Sequence, residues 1–260
     1  MEVEARHINP IFTTLYGVRS FDIQSSQRVE RATKKSDSID QSINDLVEVI
    51  IEENQHAESK IDVDKVTHTI NFAKEAHAGH NRKVTGEPYI LHPLRVARLV
   101  IQEGEKVIIT ALLHDVAEDT PKTLQDIENE FGEDIRTDVE HITEREFEKR
   151  IPHDTPQKIK EEDWIKRKVR QLTRIPKMSR TARIIEAANA TDNLRSMQRE
   201  FTILREKAFD PLTVGKFLQR WRYNALSESL EAYQKKSGEI NKFLPELKRE
   251  FNKWKIMVFS

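Results

Sequence analysis

Ile39, Ile43, Leu46, Val47 and Ile50 recur at the three- and four-residue spacing of an amphipathic helix, starting near residue 38 and fading into the polar run 52–55. Its apolar stripe is expected to dock on the body of the protein. A second helix, with Asp64 as its N-cap, carries Val66, Ile70, Ala73 and His77 on one face and stops at Gly79. After the loop NRKVTGEPYILHP, the pattern predicts helices over about 94–102, 106–118 and 123–131, the last turning Leu124, Ile127 and Phe131 inward. A further helix over about 181–197 aligns Ile185, Ala188 and Asp192, and two amphipathic helices close the chain. One covers about 212–233, and the other sets Ile240, Phe243, Leu244, Leu247, Phe251 and Trp254 on a stripe. Residues 1–37 lack periodicity and contain the turn formers Asn9-Pro10, so they read as a loosely ordered arm before a single helical domain over 38–260. No internal repeat interrupts this order.

Composition supports an all-α class. The chain has 260 residues, of which 33% are charged and 37% hydrophobic, with only 7 Gly and 9 Pro, a poor supply of turn formers and a rich one of helix formers. With 43 Lys+Arg against 44 Asp+Glu the formal net charge is -1, so no global field draws it to nucleic acid or an anionic membrane and any anion site must be local. The absence of cysteine excludes disulfides, thiolate catalysis and Cys-type metal sites, leaving His and carboxylates as the metal donors. The N-terminus MEVEARHINP has no apolar run, and no window approaches the roughly 18 apolar residues of a membrane span, so a soluble, cytoplasmic protein is expected.

The sharpest charge feature is a polarity switch. Residues 138–163 are acidic, with Glu140, Glu144, Glu146 and Glu148, whereas 164–183 hold eight basic residues and no acidic one. Such runs are commonly solvated helix faces, and this one is also a candidate anion grip.

The segment ALLHDVAEDT sets His114 beside Asp115, with Glu118 and Asp119 each four residues further on, so that one helix would project all four from one side. Ionisable groups next to Ala111, Leu112 and Leu113 are costly to bury unless something binds them, and an imidazole with adjacent carboxylates suits a divalent cation. His92 precedes Pro93, a residue that fixes the entry of a helix, and Asp192 lies on the apolar face of its own helix, where a carboxylate needs a partner. A cation held by His92, His114, Asp115 and Asp192 would be that partner, and this N/O donor set favours Mn²⁺ over Fe²⁺, Zn²⁺ or Mg²⁺.

In order, these four residues form the H…HD…D signature of HD-domain metal-dependent phosphohydrolases. More narrowly, AKEAHAGHNRKVTGEPYILHPLRVARLV followed by ALLHDVAEDTPKTLQDIENEFGEDI resembles the hydrolase domain of the RelA/SpoT homologues, with AH-x-G-x-x-RK, GEPYI-x-HP, LLHDV-x-EDT and FG all in place. The resemblance runs from about 61 to 197, and more weakly beyond 212. It implies an HD-type helical bundle with a motif core over 61–200 and added N- and C-terminal helices, of the small, hydrolase-only type. The activity it implies is metal-dependent removal of the 3′-pyrophosphate from the guanosine alarmones, (p)ppGpp, giving GDP or GTP and pyrophosphate. A cation at such a site lowers the pKa of a water it binds. Glu118, with Asp119 beside it, would act as general base. Arg82 and Lys83 match loop residues that pack on the nucleotide base, Tyr89 would line the same pocket, and Arg167 and Lys168 match the grip on pyrophosphate.

The chain departs from that pattern in two places. Ser196 stands where the family usually has Asn on the substrate side of the metal, and His80 replaces a usual Gln; both bear on substrate identity more than on hydrolysis. Three readings are carried forward: a guanosine alarmone hydrolase; an HD hydrolase of another 3′-phosphorylated target, such as an adenosine alarmone, a pyrophosphorylated tRNA end or NADPH; and a catalytically weak partner of another protein.

Overall fold

The computed structural model describes residues 24–57, 59–144, 152 and 154–260, with side chains from residue 38 onward. The elements are α1 (Gln24–His56), α2 (Val63–Ala76), α3 (Leu91–Leu99), α4 (Glu105–Leu113), α5 (Val116–Asp119), α6 (Leu124–Phe131), α7 (Glu133–Ile142), α8 (Gln157–Arg174), α9 (Arg180–Leu204), α10 (Lys216–Ser237) and α11 (Leu244–Phe259), with short 3₁₀ turns at Ile101–Glu103, Ile175–Lys177 and Arg205–Phe209. The described residues contain no strand, only an isolated bridge between Asn81 and Pro88. The fold is therefore all-α, as composition and spacing indicate, and none of its helices is long and apolar enough to cross a membrane.

Several boundaries moved, each for a local reason. The first helix begins at Gln24 rather than near 38: its leading turns lack an apolar stripe, but they are free of Gly and Pro and rich in helix formers. Of the expected arm, residues 1–23 lie outside the described residues. The N-cap of α2 is Asp62, not Asp64; its carboxylate accepts from the backbone N–H groups of Asp64 and Lys65. The capping box at Thr123 and Asp126 starts α6 where the pattern placed it. Helix α7 is an element the spacing did not predict, and its second half falls in the acidic stretch 138–163. Its Ile135, Val139 and Ile142 share a buried face, and Gly132 (φ 88) makes the sharp turn from α6 that only glycine adopts cheaply. Glu146 and Glu148 of that run lie outside the described residues.

Residues 39–260 form one compact unit. Its axis is α9, where Ile184, Ile185, Ala187, Ala188 and Leu194 are buried on successive turns, leaving no wholly solvated face in the middle of the helix. Helices α3, α4 and α7 pack on one side of it and α11 along another, while α10 joins α11 and α8. Of the stripe expected near the C-terminus, Leu244, Leu247, Phe251 and Trp254 belong to α11, whereas Phe243 caps the helix and Ile240 precedes it and is exposed; Trp254 is fully buried among the rings of Phe209, Tyr223, Phe251 and Phe259. Replacing Trp254 by Ala is expected to cost about 3–5 kcal/mol of unfolding free energy in a urea titration. A loss under about 1 kcal/mol would mean that α11 is an appendage rather than part of the core. Trp254→Phe should cost less, because the indole N–H is buried without a partner.

Candidate active site

Two elements bring donor atoms together beside α9, and α9 itself backs one of them. Helix α3 supplies His92 from its second residue, with Pro93 in the first turn, where a missing N–H leaves no bond unmade. The predicted continuous helix over 106–118 is instead broken: α4 ends at Leu113, and His114 and Asp115 form the joint before the single turn α5. This break, which spacing alone did not reveal, turns His114 into the core while Asp115, Glu118 and Asp119 face a cavity. Helix α9 supplies Asp192 from a buried turn.

The hydrogen bonds fix which nitrogen of the His114 imidazole is bare. His114 Nδ1 lies 2.7 Å from the carbonyl oxygen of Ala111, which can only accept, so the ring proton is on Nδ1 and Nε2 carries the lone pair. That Nε2 is buried without a hydrogen-bond partner, 3.1 Å from Asp115 Oδ2. In His92 the shorter contact, from Nδ1 to the Asp192 carboxylate Oδ2 at 2.7 Å, favours the proton on Nδ1, with Nε2 facing Asn189 Oδ1 at 3.1 Å and Asp115 Oδ2 at 3.6 Å. Donor atoms of His92, His114 and Asp115 all lie within 4.8 Å of one another, a spacing a single cation can bridge. An orphaned buried imidazole nitrogen beside a second imidazole and a carboxylate fits a divalent transition-metal ion better than Ca²⁺, whose ligands are all oxygen.

Charge is arranged to match. Burial, then the field of Arg82, lowers the His92 pKa to about 4, so its ring is neutral and ready to ligate at neutral pH. Against the cost of burial, His114 and His92 and the Tyr89 hydroxyl hold Asp115 well below the usual carboxylate range; Tyr89 donates at 2.7 Å. Asp192 is also held low despite burial, by His92 and by Arg95, whose Nε donates to Oδ1 at 2.9 Å. Glu118 goes the other way: burial and the neighbouring Glu144 push its carboxyl up to about 7, a value suited to a general base. Its Oε2 accepts the backbone N–H of Glu144 at 3.1 Å. Asp119 Oδ2 lies 3.2 Å from the same Tyr89 hydroxyl and shares its single proton with Asp115 as the longer contact.

These groups border a cavity of about 140 Å³, walled by Tyr89, Asp115, Glu118 and Asp119 on one side and by Lys168, Asn189, Asn193 and Arg222 on the other. Lys168 is buried and bonded to Glu144, which Lys168 and Arg167 hold down to about 2 despite its burial. Arg167 stands one step behind, donating to Glu144 at 2.5 Å and to Asp163 at 2.8 Å. Arg82 donates to Asn193 Oδ1 at 2.7 Å, and Asn193 in turn donates to Asn189 Oδ1 at 2.7 Å, so a chain of amides links the loop to the cavity. Of the remaining sequence candidates, Lys83 is exposed on the same loop and Ser196 is buried, its hydroxyl accepting from Arg199 at 2.9 Å. Neither walls the cavity.

Sequence reasoning missed Arg95, Glu144, Asn189 and Arg222. Two of these had a signal: Arg95 is three residues after His92 on α3, and Asn189 three before Asp192 on α9, so each shares a face with a candidate ligand. Arg222 had none, since it reaches the cavity only through the packing of α10 on α8.

A pH dependence follows. Although burial opposes a charged ring, Asp115 and the Ala111 carbonyl outweigh it and raise the His114 pKa, so in the metal-free protein a proton competes for Nε2. Binding of a divalent cation is therefore expected to release a proton near neutral pH and to weaken as pH falls. Calorimetry in buffers of different ionisation enthalpy measures this; an affinity and heat independent of pH and buffer would contradict it.

Residues 69–210 match the family described as HD domain. Among similar proteins is the Xenopus tropicalis guanosine-3′,5′-bis(diphosphate) 3′-pyrophosphohydrolase MESH1, 37% identical over 134 residues that make up 50% of this chain and 67% of that one. The Homo sapiens MESH1 is 34% identical over 134 residues, with the same shares. The Aquifex aeolicus guanosine-3′,5′-bis(diphosphate) 3′-pyrophosphohydrolase is 43% identical over 101 residues, 38% of this chain and 14% of that one. Among solved structures, a metazoan orthologue of SpoT, described as hydrolysing ppGpp, aligns with a TM-score of 0.56 at 23% identity, covering 75% of this chain and 98% of its own. A Listeria monocytogenes protein aligns at 0.52 and 28% identity, covering 68% and 100%.

Proposed function

The chain belongs to the HD domain family, and from that membership we propose that it is a Mn²⁺-dependent 3′-pyrophosphohydrolase of guanosine alarmones, converting (p)ppGpp and water to GDP or GTP and pyrophosphate. The observation that carries the reading is the joint between α4 and α5. It aims a bare, buried imidazole nitrogen of His114 at Asp115 and His92, with a carboxyl of suitably raised pKa, Glu118, on the next turn. The names of the relatives supply the substrate class.

In this reading His92, His114, Asp115 and Asp192 form the metal centre, and the metal is Mn²⁺. The bound cation would supply a polarised water and a counter-charge for the phosphoryl oxygens. Glu118 takes the proton of the attacking water, assisted by Asp119, which Tyr89 holds in place. Attack falls on the phosphorus bonded to the 3′ oxygen; the P–O3′ bond breaks and the ribose oxygen leaves as a hydroxyl, taking up the proton that Glu118 removed from the water. Lys168 and Arg222 reach the cavity as point charges for the pyrophosphate, Arg167 adds its charge from behind Glu144, and Arg82 presents a guanidinium to the base. Lys83 and Ser196, which do not wall the cavity, would contact base and ribose when the nucleotide is bound. The hydrolase body is residues 38–260, acting in the cytoplasm on a small nucleotide.

A side-by-side product assay tests this: ppGpp, pppGpp, ppApp, NADPH and a pyrophosphorylated tRNA end, each with Mn²⁺ and with chelator. The expected result is pyrophosphate and GDP or GTP from the guanosine compounds, only with metal. Preferential cleavage of ppApp, NADPH or the tRNA end would move the substrate assignment, and no cleavage by a metal-loaded protein would reject the hydrolase reading.

A further inference from the structure

Asp192 is the one carboxylate of the proposed centre whose two oxygens are both already engaged. Oδ2 accepts from His92 Nδ1 at 2.7 Å and Oδ1 from Arg95 Nε at 2.9 Å, while only 3% of its side chain is exposed. His92 and Arg95 come from the same helix three residues apart, so one face of α3 offers an imidazole and a guanidinium to a single carboxylate on α9. Arg95 is itself fixed at its other end, donating from Nη2 to Glu87 at 2.8 Å. Glu87 lies in the loop that carries Arg82 and Tyr89, and its carbonyl accepts the backbone N–H of Arg82 at 2.9 Å.

We propose that Arg95 is a positioning residue for the metal centre: it clamps Asp192 against His92 and thereby sets the affinity of the site for Mn²⁺, without itself touching metal or substrate. This rests on the functional reading only in taking His92 and Asp192 as members of a metal centre. Two physical effects of Arg95 oppose each other. Its positive charge near a cation weakens binding, whereas its hold on Oδ1 keeps both Asp192 and the His92 ring in a fixed orientation. The Glu87 carboxylate pairs with the guanidinium and cancels much of its charge, so orientation dominates. Loss of such an outer-shell partner usually lowers metal affinity by about 10–100-fold. A planar fork with separate Nε and Nη2 donors is needed to reach two carboxylates at once, which the single ammonium of lysine cannot reproduce.

The test is Mn²⁺ binding to the purified full chain, read from the electron paramagnetic resonance signal of free Mn²⁺, with no nucleotide present. Arg95→Met is expected to weaken Mn²⁺ binding by about 10–100-fold. Arg95→Lys, which keeps the charge, should also weaken it, and Glu87→Gln should do so by less. In a double-mutant cycle, Arg95→Met should add little to the loss already caused by Asp192→Asn, because Arg95 acts through that carboxylate. Unchanged or tighter binding in Arg95→Met, a Lys variant equal to wild type, or losses that simply multiply in the double variant would each overturn the clamp; so would a wild-type chain that binds no Mn²⁺. Thermal melting of each metal-free variant separates a lost clamp from a lost fold. Because hydrolysis is not read, a chain that shows the coupled loss but cleaves no alarmone would keep the clamp and reject the substrate assignment.

Discussion

Glu118→Gln is expected to lower kcat for (p)ppGpp by about 10²–10⁴-fold while leaving Mn²⁺ affinity close to that of the wild type. The amide keeps the size of the side chain and its acceptor for the backbone N–H of Glu144, so the turn between α5 and the end of α7 should hold. What it loses is a group able to take a proton. Burial and Glu144 raise that carboxyl to about 7, so a substantial fraction is protonated at neutral pH and turnover should fall as pH drops below about 7. In the Gln variant this acid limb should flatten. Unchanged turnover would transfer the base to Asp119, the other carboxylate on the same turn, held by Tyr89; a parallel loss of Mn²⁺ would instead make Glu118 part of the metal centre.

His114→Ala is expected to remove metal and turnover together. It deletes the bare Nε2 that no protein group satisfies, and without a bound cation several kcal/mol of transition-state stabilisation goes with it, about 10³-fold or more in rate at about 1.4 kcal/mol per decade. The ring is fully buried, so the truncation also leaves a cavity beside Leu113, and a drop in melting temperature is expected. His114→Gln, closer in volume, separates the two effects: it should recover much of the stability but not the metal. Turnover persisting in a folded His114→Gln protein after dialysis against chelator would exclude His114 from the reaction.

The contrast between these variants reflects what was legible in the residues. The all-α class was readable because stripes such as Ile43–Leu46–Ile50 and Leu244–Leu247–Phe251 repeat at helical spacing and turn formers are scarce. His114 and Asp115 could be named because they stand beside Ala111, Leu112 and Leu113, Asp192 because it lies on the apolar face of its helix, and His92 because it precedes Pro93 and completes the H…HD…D order. The break at His114 could not be read, since it follows a bond from an imidazole to its own helix's carbonyl rather than any change in periodicity. Helix α7 was hidden by its charge: Asp134, Arg136, Asp138 and Glu140 surround the three apolar residues that place it. The basic run divided into two roles that a count of charges cannot separate. Lys168 reaches the cavity and Arg167 backs it, whereas Arg174 donates to the carbonyls at the end of α7 and Arg183 to Glu239, both structural contacts. Arg222 came to the site from a helix whose sequence carries no site motif, because tertiary packing alone brings it there.

The decisive measurement follows the oxygen atom. Purified protein with Mn²⁺ is incubated with ppGpp in heavy-oxygen water, and the products are separated and weighed by mass spectrometry. Metal-dependent attack at the 3′-linked phosphorus requires GDP and pyrophosphate in equal amounts, one labelled oxygen in the pyrophosphate and none in GDP, and no reaction with chelator present. Label in the nucleoside, release of orthophosphate in place of pyrophosphate, or equal turnover without metal would contradict it.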